Sequence, residues 1–264
     1  MDGYGASTYG DRFADVYDDW YEDVSDVAAT VEWVAALAGP GGRVLELGAG
    51  SGRLAVPLAG RGLDVWAVDA SSAMLDRLRA RPGADRVRVV LDDMARLSDP
   101  ALAEGGGFGV VLCAFNTLFN LTDSGAQRAC LARVRDLLGP EGVLVVEAFV
   151  PPPGSEGDAA VAAVEPRHIG LDEVVLTVSR LEPATRTITG QHLQITEHGV
   201  RLRPWVLHYA TPEQLDEMAA GEGLRLVERH AGWRGEPFTP ESEVHVSTYA
   251  AADAADAADR DAPR

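Results

Sequence analysis

The stretch Val44-Leu45-Glu46-Leu47-Gly48-Ala49-Gly50-Ser51-Gly52 decides the fold. A short apolar run ends in an acid and then in glycines at every second position, the pattern of a strand that turns sharply into a helix. Glycine lets the backbone bend there and lets a ligand approach without meeting a Cβ. Such a turn at the carboxyl end of a parallel strand is where open α/β sheets bind ligands. A dinucleotide fingerprint would need glycine three places after Gly50, where Arg53 stands, and pyrophosphate would meet the carboxylate of Glu46. The acid suits a ligand that carries an ammonium group.

Outward from this turn, apolar runs alternate with helical patterns, which predicts βαβ units and a doubly wound, mostly parallel seven-stranded α/β sheet. Strands are expected over 43–47, 63–68, 86–91, 109–114 and 142–149, with helices over 52–59, 72–80 and 123–138 between them. Five segments result: an N-terminal helical lid over 1–40, a ligand-binding core over 41–150, an antiparallel insertion over 151–210, the rest of the core sheet over 211–250, and a disordered tail over 251–264. In the lid, Phe13, Val16, Tyr17, Trp20 and Val24 fall at helical spacing over 11–23, with Asp15, Asp18, Asp19, Glu22 and Asp23 largely opposite. Ser25 is the expected N-cap of a second helix that stops at Gly39-Pro40. Residues 173–209 alternate with period two, which predicts a three-stranded insertion. Thr211-Pro212-Glu213-Gln214 is a capping box, and strands over 224–230 and 244–249 complete the sheet.

Composition excludes whole classes of function. The 264 residues hold 23 basic and 41 acidic side chains, a net charge of −18 that opposes nucleic acid and anionic membrane as partners. Every basic residue is arginine, so a phosphate-loop lysine, a pyridoxal Schiff base and a Tyr-Lys dehydrogenase pair are all excluded. Cys113 and Cys130 lie in apolar segments without metal-ligand spacing and read as free core thiols, with no metal site. No leader-like or membrane-length apolar segment occurs, so a cytoplasmic protein is expected.

A second acid, Asp69, closes strand two, where a carboxylate can accept both hydroxyls of a ribose. With Asp92-Asp93-Met94 after strand three, residues 40–150 resemble the class I S-adenosylmethionine-dependent methyltransferases, whose first motif is similar to E/D-x-G-x-G-x-G. The resemblance implies that Gly48, Ala49, Gly50 and Gly52 line the methionine part of S-adenosylmethionine, with Glu46 near its amino group. It implies Asp69 and Ala70 at the ribose, Asp93 at the adenine amino group and Met94 offering a backbone N–H. The product would be S-adenosylhomocysteine. Ala114, Phe115 and Asn116, after strand four, are expected between cofactor and acceptor. No carboxylate stands there, unlike the metal-dependent branch of the family, and no Asn-Pro-Pro-Tyr run marks a DNA or glutamine target. These features imply methyl transfer to O or N of a small molecule, as in amino-sugar N-methyltransferases and other natural-product enzymes of secondary metabolism.

The helix carrying Tyr17 and Tyr21 resembles the lid of small-molecule members, which places Tyr17 against the cofactor and makes Tyr21 a candidate catalytic and acceptor-binding residue. The insertion is expected to cover the acceptor or to form a homodimer surface. His208 is the first candidate base, with His168 as a rival and His192, His198, His230 and His245 behind them; a strand-end histidine is more often structural. Three alternatives stay open: a cyclisation or decarboxylation that keeps the cofactor, a non-catalytic cofactor-binding subunit, and a nicotinamide dehydrogenase.

Overall fold

The computed structural model describes residues 1–21, 24–152, 155, 157 and 159–252. Glu22, Asp23 and all but the first two positions of the expected tail lie outside them. The lid begins with two short helices, α1 (Thr8–Phe13) and α2 (Tyr17–Tyr21), in place of the single helix expected over 11–23. Arg203 explains the break. Its guanidinium donates to the Arg12 carbonyl, while Val16 N turns back to Phe13 O at 2.9 Å. Helix α3 (Val27–Ala38) is capped by Asp26, which accepts from Ala29 N at 3.0 Å, and not by Ser25, to which Arg53 donates.

The core then alternates β1 (Arg43–Leu47), α4 (Ala55–Gly60), β2 (Asp64–Asp69), α5 (Ser72–Ala80), β3 (Val87–Leu91), β4 (Phe108–Cys113), α6 (Ser124–Leu137) and β5 (Leu138–Phe149). Pairings β1–β2, β2–β3, β1–β4 and β4–β5 are all parallel. Parallel strands covered on both faces need apolar side chains of both parities, which is why these runs read as continuous. In β1, Val44 packs with α3 and α4, and Leu45 and Leu47 pack with α6. Strand order reverses between β1 and β4, so a crevice opens at their carboxyl ends.

After α7 (Pro212–Gly221), held by the expected capping box, β10 (Leu224–His230) and β11 (Val244–Ala251) complete the order β10-β11-β5-β4-β1-β2-β3, with β11 antiparallel to both neighbours. The insertion forms a separate antiparallel sheet of β6 (Val161–Ile169), β7 (Glu173–Glu182), β8 (Thr187–Thr196) and β9 (Gly199–His208). It has four strands where three were expected. The added strand β6 is an edge strand exposed along nearly its whole length, interrupted by Pro166 and a register shift, so it shows no buried alternation to read.

Candidate active site

The glycine turn sits at the crevice. Gly48 and Gly50 take φ of 61° and 55°, which side chains rarely adopt, and Ala49 N donates to Val68 O at 2.9 Å, tying the turn to β2. A Cβ on Gly48 would lie 2.3 Å from Thr117 Cγ2, so this glycine is needed for the approach of the segment after β4. A Cβ on Gly50 would meet only the Tyr17 ring, at 3.9 Å, so the space above Gly50 belongs to a cavity. That cavity has a volume of about 290 Å³ and is walled by the turn, the ends of β2 and β4, the lid and β8–β9 of the insertion.

Its acids are held by backbone. Asp69 accepts from Gly50 N and Ser71 N, each at 2.8 Å, one on each oxygen. Burial raises its pKa, and these hydrogen bonds oppose that rise. Asp92 takes Asp93 N on one oxygen and Ser98 N on the other, and so organises its own turn. Asp93 accepts from Ala95 N through Oδ1, which leaves Oδ2 to a ligand. Glu46 is buried behind the glycines. Burial lifts its carboxyl to about 8, and Oε2 has no partner among the described residues. A buried carboxyl with one unpartnered oxygen, which a neighbouring cation would draw into ionising, two acids on the wall and an open glycine cradle fit a cationic nucleoside.

The lid closes this side through charge. Asp18 accepts from Ser51 Oγ at 2.6 Å and pairs with Arg77 at 2.7 Å and with Arg81, while Ser71 Oγ donates to Asp11 at 2.6 Å. Asp15 pairs with the buried Arg203 at 2.6 Å and with Arg201 at 2.7 Å. These bonds bring Tyr9, Tyr17 and Tyr21 onto the cavity.

Of the residues singled out from sequence, the cavity is lined by Tyr17, Tyr21, Gly48, Gly50, Asp69, Ala70, Asp93, Met94, Phe115 and Asn116. Glu46, Ala49, Gly52 and Ala114 are buried outside the lining. The structure does not bring His208 or His168 to it. On β9, Trp205 and Leu207 face the cavity, so side-chain alternation turns His208 away, and His168 is exposed on β6. His192 occupies the place instead: it pairs with Arg203 on the cavity face of β8. Its Nδ1 lies 2.9 Å from Thr177 Oγ1, and Phe13, Trp20 and Trp205 surround the ring. Burial, with Arg167 and Arg203 adding, lowers its pKa to about 4, so the imidazole is neutral at pH 7. From sequence alone His192 ranks behind His208 and His168, and Tyr9, Asn120 and Trp205 are missed. The period-two pattern of the insertion was the signal for His192 and Trp205, but it does not say which parity faces inward.

A doubly wound sheet with this turn, the acids ending β2 and following β3, and a lid over both defines an enzyme that binds S-adenosylmethionine. Comparison with known proteins agrees. The family model for a methyltransferase domain matches residues 44–142. The solved structure of the CcbJ methyltransferase from Streptomyces caelestis is 39% identical, spans 95% of this chain and 100% of its own, and superposes with a TM-score of 0.85. The cypemycin N-terminal methyltransferase of a Streptomyces species is 28% identical over 250 residues, 89% of this chain and 94% of that protein. S-adenosylmethionine-bound CalS10, an amino pentose methyltransferase from Micromonospora echinaspora, shares the fold at 22% identity and a TM-score of 0.62, over 88% of this chain and 96% of its own. The chain belongs to the class I S-adenosylmethionine-dependent methyltransferases. It is a methyltransferase, and S-adenosylmethionine is its cofactor.

Proposed function

We propose that the enzyme methylates a nitrogen or oxygen of a small molecule, an amine nitrogen before a hydroxyl. The observation that carries this is the cavity itself: about 290 Å³, closed by lid and insertion and rich in aromatic rings. A chain of net charge −18 has no attraction for a polyanion. Bound S-adenosylmethionine supplies an electrophilic methyl on a sulfonium sulfur, displaced in line by the acceptor. The residues do the rest by placement, which can supply several kcal/mol without covalent help. Gly48, Gly50, Asp69, Asp93 and Met94 hold the cofactor, with Glu46 behind its amino group. Tyr21, Phe115, Asn116, His192 and Trp205 orient the acceptor. A hydroxyl gains from a general base, whereas an amine needs only to lose a proton. His192, with its pKa near 4, is a poor base but accepts a hydrogen bond from an N–H. Two relatives bear names that support the amine: the cypemycin enzyme and KedS8, a sugar N-methyltransferase.

The test is incubation of the enzyme with S-adenosylmethionine and a panel of small amines, amino sugars included, beside matched alcohols. S-adenosylhomocysteine release with a methylated amine is expected. Turnover of alcohols alone would refute the amine reading, and consumption of substrate without S-adenosylhomocysteine would favour a non-methylating reaction.

A second copy of the chain is the proposed partner of the insertion. Across its outer face, one register row reads Ile169, Val174, Ile195, Val200 and the next Pro166, Leu176, Leu193, Leu202. Ile169 is 73% exposed and Val200 61%. Neither row holds a carboxylate, so two strongly acidic copies meet there without repulsion, in an isologous sheet-on-sheet contact.

A further inference from the structure

Two consecutive residues after β4, Phe115 and Asn116, take φ of 51° and 62°. A left-handed pair that begins with a bulky aromatic does not form unless its surroundings impose it. The surroundings here are one residue of β5. Glu147 accepts from Phe115 N through Oε2 at 2.7 Å, and its backbone carbonyl accepts from Asn116 N at 3.0 Å. The other carboxylate oxygen accepts from the indole Nε1 of the buried Trp233 at 2.8 Å, which fixes the carboxylate's orientation. Phe149 N donates to Asn116 Oδ1 at 2.7 Å, so the last residue of β5 grips the second residue of the pair.

The pair decides what the cavity presents. It reverses the chain so that Thr117 settles on Gly48, and it sets the Phe115 ring edge-on to Tyr21 at 5.9 Å. Phe115, Asn116, Thr117 and Asn120 then form one wall of the cavity. Glu147 itself does not line it.

We infer that Glu147 is a positioning residue: its carboxylate, bridging Phe115 N and Trp233 Nε1, holds the left-handed pair that places Phe115 and Asn116 against the acceptor. This rests on the reading above that this wall contacts the acceptor. The carboxylate satisfies two N–H donors with two oxygens. An amide has one oxygen and one NH₂, so Glu147→Gln leaves either Phe115 N or the indole opposed by another donor. Removing the indole N–H with Trp233→Phe frees the amide to turn its oxygen toward Phe115 N.

The experiment compares wild type, Glu147→Gln and Glu147→Gln/Trp233→Phe. It measures S-adenosylhomocysteine affinity by calorimetry, kcat and KM with the best amine from the panel, and hydrogen exchange of the Phe115 amide with no acceptor present. Glu147→Gln is expected to keep S-adenosylhomocysteine affinity within about threefold and to lose roughly ten- to a hundredfold in kcat, the scale of a small misplacement. Exchange at Phe115 should quicken. The double variant should recover both kcat and protection, although it removes a buried indole. Wild-type kcat in Glu147→Gln, or a double variant worse than the single as mere destabilisation would give, overturns the inference. Unchanged Phe115 exchange in Glu147→Gln overturns it whatever the acceptor proves to be, whereas altered exchange with no amine turned over indicts the acceptor reading alone.

Discussion

At the scale of single residues, the cofactor site works through carboxylates whose state is set by surroundings. Asp69 already takes a backbone N–H on each oxygen, so it is fixed before a ribose arrives. Asp69→Ala should weaken S-adenosylmethionine binding by about 1.5–3 kcal/mol, the worth of hydrogen bonds to a charged group, and calorimetry showing unchanged affinity would contradict the assignment. Glu46 is buried too, but one of its oxygens has no partner among the described residues. Burial raises its pKa from 4.5 to about 8, so between those values the folded chain holds a proton that the unfolded chain releases. Stability is therefore lost as pH rises through that window. Cofactor-free Glu46→Gln, which never ionises, is expected to match wild type in Tm near pH 4 and to exceed it near pH 9. An equal offset at both ends would show that the raised pKa has another origin. These acids were legible in the sequence because each lies next to its own strand end, inside a contiguous motif. His192 was ranked too low, because its place depends on the parity of a separate sheet far along the chain from the glycine turn.

At the scale of elements, the lid is a charged latch over an aromatic interior. Hydrogen bonds and charge from Ser51, Arg77 and Arg81 outweigh burial and hold Asp18 below the ordinary carboxylate range. The latch thus stays closed at neutral pH and opens only as pH falls below that range. Asp18→Asn should weaken S-adenosylhomocysteine binding about tenfold, near 1.5 kcal/mol for partly buried charged hydrogen bonds. Added salt should weaken the wild type more than the variant, and identical salt dependence would rule the latch out. The amphipathic lid was legible in the sequence, but its division into α1 and α2 was not. That break is imposed by Arg203, which reaches the Arg12 carbonyl across 191 positions of chain. Likewise β6 escaped notice because an exposed edge strand with a proline carries no periodic signature.

For the whole molecule, charge and apolar surface divide the labour. Against a net charge of −18, the proposed dimer uses the face whose two apolar register rows hold no carboxylate. Wild type is expected to run as a dimer by light scattering, and Leu202→Glu, which puts a carboxylate at the exposed β9 end of an apolar register row, as a monomer that still binds cofactor. A monomeric wild type would remove the insertion's outer face from consideration. The doubly wound core was readable end to end, since alternating apolar runs and helical patterns admit few other sheets. The site's acceptor half was readable only in part: Tyr21, Phe115 and Asn116 were, whereas Trp205 and the rank of His192 were not, because lid, insertion and core meet there from three separate parts of the chain.

The central claim is that a side-chain-free turn backed by Glu46, with Asp69 and Asp93 beside it, holds a sulfonium nucleoside under an aromatic roof. A crystal structure of the enzyme with S-adenosylhomocysteine tests this most directly. Ribose hydroxyls on Asp69, the adenine amino group on Asp93 and the sulfur facing Phe115 and Tyr21 are predicted. Nucleoside density elsewhere, or none beside Gly50, would contradict it.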